Sequence, residues 1–229
     1  GSISTITLLS DRPGGFDDGD VAGLTEIVDV LAVIVELQSA RRTAKTLLDT
    51  YVGRRTGGRV LSGAITRGAV ENIEAVILYA DLRGFTGLSD ALARDAVLAL
   101  LNDWFEILTA AVTAEGGEVL KFIGDGLLAI FPVEGATMRE RAKAALNAAL
   151  GALSAIDQRN EERAAAGAPT MHCTLALHLG EVAYGNIGAP DRLDFTVIGA
   201  AVNHTSRLER LGAALKHRLI TSSAFAAEI

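Results

Sequence analysis

The sequence predicts an α+β domain whose strands and helices follow the order βαββαβ, preceded by one long helix. From residue 70 onward, short apolar runs typical of buried strands alternate with segments in which apolar residues recur every three or four positions. Between residues 17 and 53, a single helical pattern continues without interruption. For the βαββαβ order, the common solution is a ferredoxin-like antiparallel sheet in the spatial order 4-1-3-2, with both helices on one face.

The N-terminal part is predicted to form a strand over 4–10, a turn over 11–15 and then the long helix. Acidic residues at the start of that helix are typical of an N-terminal cap. The apolar residues that follow are spaced alternately by three and four, as in the seam of a coiled coil: Val21, Leu24, Val28, Leu31 and Val35. Such a seam indicates a partner helix, most simply from a second copy, although packing against its own domain is equally open.

The elements after residue 70 are predicted from the same periodicities. The four strands of the core order cover 75–80, 118–123, 126–131 and 171–177. The first helix is predicted to begin near Ser89, with an inner face formed by Val97, Leu98, Leu101, Trp104, Phe105, Leu108 and Val112. The second is predicted to cover 139–166, with an inner face formed by Leu146, Leu150 and Leu153. We expect further elements in the form of a hairpin around Leu179-Gly180, a strand over 193–197, a helix over 200–211 and a short strand over 218–221.

Composition and charge exclude several classes of protein. The 229 residues are 49% hydrophobic and 21% charged, as in an ordinary globular protein. A net charge of −7 without a basic stripe argues against nucleic-acid binding. A single cysteine, Cys173, excludes an internal disulfide and a thiolate zinc site, and favours a reducing, cytoplasmic compartment. The apolar stretch 30–35 is too short to span a membrane.

Two aspartates are predicted to meet at one rim of the sheet. In the 4-1-3-2 order, the end of the first strand lies beside the start of the third, which places Asp81 next to Asp125. Each has a structural alternative, since Asp81 could cap the following helix and Asp125 is in a Gly-Asp-Gly turn. Neither alternative explains why both lie at one rim, where two carboxylates repel unless a cation lies between them. The pair therefore favours a site for Mg²⁺ or Mn²⁺, reasonably two ions.

Other polar residues are placed where they would face a phosphorylated ligand. The turn after Asp81 leads through Gly84 into a helix N-terminus, whose backbone N–H groups suit phosphates. Asn203 and Arg207 lie one turn apart on a single helix face, which fits a ribose oxygen and a phosphate, although a solvated polar face is the alternative. Lys121 stands among apolar strand neighbours and is expected in a cleft, unless it simply extends to the solvent at a sheet edge.

Four segments resemble the class III nucleotidyl cyclases in order and spacing: DLRGFT at 81–86, KFIGDG at 121–126, GNIG at 185–188 and FTVIGAAVNHTSRLE at 195–209. The resemblance implies that Asp81, Asp125 and the backbone carbonyl of Leu82 hold two Mg²⁺ or Mn²⁺ ions. One ion would help to deprotonate the ribose 3′-hydroxyl and the other would hold the triphosphate. The backbone of Gly84, Phe85 and Thr86 would cradle the phosphates.

The resemblance also implies a substrate and an assembly. Lys121 and Thr196 fall on the base-selecting positions and look like the bacterial adenine-selective pair, while Asn203 and Arg207 would orient the ribose and stabilise the transition state. The expected activity is therefore conversion of ATP to 3′,5′-cyclic AMP and pyrophosphate. In this family one protomer of a homodimer provides the metal ligands and its partner provides the base-selecting residues, the Asn and the Arg.

This interpretation of the sequence divides the chain into three parts. Residues 1–52 would be a sensor-domain remnant, similar to the end of a GAF-type domain, with a coiled-coil signalling helix. Residues 53–69 would be a linker with a short helical turn, and 70–229 the catalytic domain. Gly1-Ser2 is typical of a cloning remnant, and no signal peptide or membrane span is visible, so we expect a cytoplasmic fragment of a longer signalling protein.

Alternatives and departures accompany this prediction. The alternatives are a guanylate cyclase, a diguanylate cyclase and a catalytically weak nucleotide-binding dimerisation module. The diguanylate cyclase is disfavoured because the helix of Asn203 and Arg207 has no counterpart there. Thr174 stands where some class III members carry a phosphate-binding arginine, and a further basic residue often lies beyond the position of Ile229. Both departures concern groups that contact the phosphates in some class III members.

Overall fold

The fold is described from a computed structural model that covers residues 5, 7–63 and 66–229. The chain divides into two units, Gly1–Gly58 and Arg59–Ile229. Helix α1 (Asp18–Tyr51) lies in the first unit. It is followed by α2 (Arg54–Leu61), whose residues belong partly to the first unit and partly to the second. Where a strand was expected over 4–10, no strand forms at Thr5 or over 7–10, while Ser4 and Ile6 lie outside the described residues.

Helix α1 begins with a reciprocal cap and exposes its apolar seam. The Asp17 carboxylate accepts from the Asp20 backbone N–H at 2.8 Å, and the Asp20 carboxylate accepts from the Asp17 N–H at 3.0 Å. This capping box satisfies two N–H groups that have no acceptor within the helix. Four of the five seam residues are exposed, namely Val21, Val28, Leu31 and Val35. The long helix is thus confirmed, and its apolar stripe remains accessible along its length.

The second unit is built on one sheet in the order β2-β3-β1-β4-β5, with β6 paired to β4. The β6–β4 pairing is parallel and the other pairings are antiparallel. Its first four strands follow the order 4-1-3-2, so the ferredoxin-like arrangement is confirmed. The strands are β1 (Val70–Leu82), β2 (Glu118–Ile123), β3 (Gly126–Pro132), β4 (Cys173–Ala189), β5 (Arg192–Ile198) and β6 (Leu219–Thr221).

Helices cover both faces of this sheet. The alternation of β1 sends Val76, Leu78 and Ala80 into the larger core with α4 and α5, while Ala75 and Ile77 pack in a smaller core with α6. Strand β1 is therefore buried on both sides and reads as a continuous apolar run. The helices of this unit are α3 (Phe85–Ala91), α4 (Arg94–Ala114), α5 (Met138–Ala165), α6 (Ala200–Ala214) and α7 (Ser223–Ala226).

Within the described ranges, α4 is the one helix long and apolar enough to cross a membrane. Its buried side chains recur every four residues and belong to the larger core: Leu100, Trp104, Leu108 and Val112. The apolar character of α4 is explained by this packing against the sheet.

Several sequence predictions were wrong in detail. The hairpin at Leu179-Gly180 does not form, because β4 continues to Ala189 and turns only there into β5. Gly180 instead lets α6 approach the sheet, since a Cβ at this position would lie 2.9 Å from the Cβ of Ala201. The helix expected near Ser89 begins at Phe85 and stops at the extended residue Leu92, so α3 and α4 are separate helices.

The predicted inner faces were also partly wrong. Leu98 and Leu150 are about half exposed, at 50% and 52%. Leu100 takes the buried position on α4, and α5 turns mainly small residues inward: Ala142, Ala145, Ala148, Ala149, Ala152 and Ile156. Alanines permit the backbone of α5 to approach the sheet closely, which a stripe of leucines would prevent.

Candidate active site

Two carboxylates meet at one rim of the sheet, as the strand order requires. Asp81 is the penultimate residue of β1, and Asp125 occupies the two-residue turn between β2 and β3. Because Ala80 pairs with Leu127, Asp81 lies beside the start of β3. A Cβ at Gly126 would be 3.3 Å from Asp81 Oδ1. The glycine after Asp125 therefore leaves room for the Asp81 carboxylate.

The electrostatics of this pair are those of two acids that cannot both ionise freely. Burial, followed by the negative charge of Asp125, raises the pKa of Asp81 to about 7. The Asp125 side chain adds to this rise in the pKa of Asp81, while hydrogen bonding to the Leu82 backbone opposes it. Glu209, which is 4% exposed, adds a further negative charge nearby, and burial raises its own pKa.

This donor set fits a divalent cation that prefers oxygen ligands. A cation between Asp81 and Asp125 would offset the repulsion that, after burial, raises the pKa of Asp81. Among the described residues, no group of three His, Cys, Asp or Glu side chains could hold a metal ion. The protein thus offers two carboxylates, and backbone oxygens, water or substrate would complete the coordination, as Mg²⁺ and Mn²⁺ commonly accept. Leu82, whose carbonyl was predicted as a ligand, lies between Asp81 and the turn to α3.

A buried tryptophan holds the turn that carries Asp125. Trp104 on α4 is 0% exposed, and its indole Nε1 donates to the backbone carbonyl of Asp125 at 2.8 Å. Sequence reasoning placed Trp104 only in the core. The available signal was that a buried indole N–H requires an acceptor, but periodicity does not say which one.

The segment predicted to hold phosphates forms the start of α3. Gly84 has φ 69°, a left-handed conformation that favours glycine, and directly precedes the helix. Phe85 and Thr86 are the first two residues of α3, so their backbone N–H groups have no acceptor within the helix. The Phe85 ring packs against the larger core, and Thr86 is exposed.

The two predicted base-selecting residues are on strands at opposite ends of the sheet order, yet β2 and β5 contact each other. Lys121 Nζ on β2 lies 2.6 Å from the Asp194 carboxylate on β5. Thr196, two residues further along β5, is 4% exposed, and its hydroxyl oxygen is buried without a hydrogen-bond partner. Asp194 was not predicted from the sequence. It stands two residues before Thr196, and residues two apart on a strand share a face, so this spacing was an available signal.

Asn203 and Arg207 are exposed on α6, one turn apart. No hydrogen bond or ion pair between described residues joins either side chain to Asp81 or Asp125. One chain therefore brings the two carboxylates together and brings Lys121 close to β5, while the side chains of Asn203 and Arg207 are exposed.

Comparisons with known proteins place this site in a family. The family model described as "Adenylate and Guanylate cyclase catalytic domain" matches residues 69–225. A curated adenylate cyclase of Anabaena cylindrica is 34% identical over 187 residues, which cover 76% of this chain and 36% of that protein. An adenylate cyclase of Rhizobium meliloti is 26% identical over 98% of this chain and 34% of its own length. The chain thus spans about a third of the length of these curated relatives.

Solved structures agree with this assignment. A bacterial light-regulated adenylyl cyclase superposes with a TM-score of 0.72 at 27% identity, covering 89% of this chain and 58% of that one. The guanylyl cyclase Cya2 superposes with a TM-score of 0.62 at 29% identity, covering 69% and 79%. With the matched family model, these likenesses show that the chain belongs to the adenylate and guanylate cyclase catalytic domain family, the class III cyclases.

Proposed function

We propose that this chain is the catalytic part of an adenylate cyclase, which converts ATP to 3′,5′-cyclic AMP and pyrophosphate. The observation that supports it most is the Asp81–Asp125 pair at one rim of a cyclase catalytic domain. In this proposal the two carboxylates and the Leu82 carbonyl hold two Mg²⁺ or Mn²⁺ ions, which supply positive charge to the ribose 3′-oxygen and the triphosphate. An acidic chain thereby accommodates a polyanionic substrate.

The choice of adenine rests on donor and acceptor chemistry. A protonated Lys121 can only donate, which suits the N1 acceptor of adenine and not the N1–H of guanine. The unpartnered Thr196 hydroxyl can accept from the adenine 6-amino group. Asp194 supports this role because it holds the Lys121 ammonium next to the strand that carries Thr196.

The remaining roles need a second copy of the chain. Asn203 would orient the ribose, and Arg207 would stabilise the charge that develops on the phosphate as pyrophosphate leaves. The backbone of Gly84, Phe85 and Thr86 would bind phosphate oxygens. Because no bond among the described residues of one chain joins Asn203 or Arg207 to the carboxylates, a symmetric homodimer would combine the two half-sites. Two apolar side chains next to Lys121 on β2, Phe122 and Ile123, are 52% and 45% exposed, as a protein interface would require.

The three predicted parts then form one signalling module. Residues 1–52 would receive a signal and pair through the exposed seam of α1, 53–69 would connect, and 70–229 would carry out catalysis in the cytoplasm. Removal of residues 1–52 should weaken dimerisation and change specific activity. Unchanged values for both would contradict a role for α1.

Substrate choice is tested by cyclase assays with Mn²⁺ and either ATP or GTP. We expect cyclic AMP from ATP, and a preference for GTP would overturn the roles of Lys121 and Thr196. Shared sites are tested by mixing Asp81→Ala and Arg207→Ala chains, each inactive alone. Mixed dimers should recover part of the activity, because one of their two sites is intact. A mixture that dimerises without recovery would refute the composite site.

A further inference from the structure

Arg83 lies at the same rim as the carboxylate pair, and the roles proposed above do not use it. It follows the last residue of β1, and its backbone N–H donates to the carbonyl of His172 at 2.7 Å. This bond holds the chain against the segment that leads into β4, so the Arg83 backbone is fixed beside the site rather than in a free loop.

The Arg83 side chain is held in one direction by a buried threonine. Its Nε donates to Thr174 Oγ1 at 2.8 Å. Thr174 is 0% exposed, pairs with Asp81 across β4 and β1, and its hydroxyl donates to the carbonyl of His217 at 3.2 Å. The hydroxyl is thus oriented to accept from Arg83. This chain of two bonds keeps the guanidinium next to the strand position of Asp81.

Among the described residues, one of the two terminal nitrogens of the guanidinium is left without an acceptor. Nη2 of Arg83 is buried and has no hydrogen-bond partner, and no ion pair between described residues includes Arg83. Leaving a buried donor of a charged group unsatisfied is costly. The acids nearby do not remove this cost, because the charge of Arg83 acts on Glu209 only at a distance. A fixed cationic donor beside a phosphate site suggests an anionic oxygen as its missing partner.

We infer that Arg83 is a substrate-binding residue whose guanidinium contacts the triphosphate of the nucleotide, with Thr174 as the residue that positions it. This inference rests on the proposed nucleotide site at Asp81 and Asp125. Arg83 adds a fixed positive charge to a rim that carries Asp81, Asp125 and Glu209, with Arg210 also near Glu209. A contact between Arg83 and the phosphates does not depend on which base the nucleotide carries. Arg83 is therefore expected to affect affinity for the triphosphate and not the choice between ATP and GTP.

The test uses the full chain and inorganic tripolyphosphate, titrated calorimetrically with Mn²⁺ present. Arg83→Met removes the guanidinium, and Arg139→Met, at an exposed position on α5, is the control with the same change in net charge. We expect Arg83→Met to bind tripolyphosphate and ATP about tenfold more weakly than the control, with adenosine binding unchanged. A difference below about twofold, or an equal loss for adenosine, would overturn the inference.

Further variants keep the test decisive if Arg83→Met does not fold. Arg83→Lys retains the charge but loses the planar fork, so it should bind tripolyphosphate more weakly than the wild type while folding normally. Thr174→Val should show a smaller loss in the same direction, and Thr174→Ser should restore binding. Wild-type affinity in both Arg83→Lys and Thr174→Val would overturn the inference, because neither the planar guanidinium nor its positioning by Thr174 would then contribute to binding.

The outcome is separable from that of the proposed function. Tripolyphosphate has neither base nor ribose, so its binding does not depend on cyclisation or on adenine recognition. A wild-type chain that binds tripolyphosphate through Arg83 but forms no cyclic nucleotide would refute the proposed activity alone. A wild-type chain that does not bind tripolyphosphate would refute the role of Arg83.

Discussion

Replacing Trp104 with phenylalanine tests whether the core of the domain positions the carboxylates proposed to bind metal. The indole Nε1 is the donor to the carbonyl of Asp125 at 2.8 Å, so Trp104→Phe removes this bond without introducing a polar group. The turn that carries the Asp125 carboxylate then loses its link to α4.

The size of the effect follows from two contributions. Leaving the Asp125 carbonyl without its donor costs about 1–3 kcal/mol. The smaller ring leaves a cavity in a site that is 0% exposed, which adds on the order of 1 kcal/mol. The free energy of unfolding should therefore fall by roughly 2–4 kcal/mol. Because residues that orient metal ligands influence affinity strongly, the dissociation constant for Mn²⁺ should rise about tenfold.

Urea unfolding would measure the stability change, and a Mn²⁺ titration followed by electron paramagnetic resonance would measure the affinity. Leu108→Ala is the matched control, since Leu108 lies one turn further along α4 and is also 0% exposed. It should cost about 2–5 kcal/mol of stability without a specific loss of Mn²⁺ affinity. If both variants bind Mn²⁺ equally well, the tryptophan bond does not position Asp125 and the reasoning is refuted.

Three further predictions concern the same domain. Gly126→Ala would place a Cβ 3.3 Å from Asp81 Oδ1 and 3.2 Å from the Tyr79 hydroxyl, so cyclase assays should show a large loss of activity, and wild-type turnover would contradict the crowding. The pKa of Asp81 is raised to about 7 from 3.8, so the folded chain binds more protons than the unfolded one between these values. Without metal, the free energy of unfolding should therefore fall as the pH rises from about 4 to about 7, which melting curves in the presence of a chelator would show. An equal fall in Asp81→Asn would exclude Asp81 as the cause. Burial raises the pKa of the Cys173 thiol to about 11, so iodoacetamide should modify it only after unfolding, and rapid labelling of the native chain would show the site to be open.

The local patterns predicted the elements of the catalytic domain well, with a few exceptions. Apolar periodicity located α4 and α5, but it favoured Leu98 and Leu150, which the structure exposes, over Leu100 and the alanines of α5. On α5, side-chain size decides which face can approach the sheet, because alanines allow closer packing than leucines do. Size does not distinguish Leu98 from Leu100, and on α4 the buried face is set by the direction in which the helix packs on the sheet. Gly180 shows the same limit, because a glycine that admits a neighbouring helix looks in sequence like a turn.

The sequence alone determined the order of strands and helices, and with it the meeting of Asp81 and Asp125, because strand order follows from local patterns and a small set of permitted topologies. The tertiary structure decided the bonds that orient these groups. Trp104 with the Asp125 carbonyl, Lys121 with Asp194 and Arg83 with Thr174 each join residues far apart in the chain. Such bonds depend on strand register and side-chain rotamers, which no local pattern records, and they exist only once the sheet is assembled.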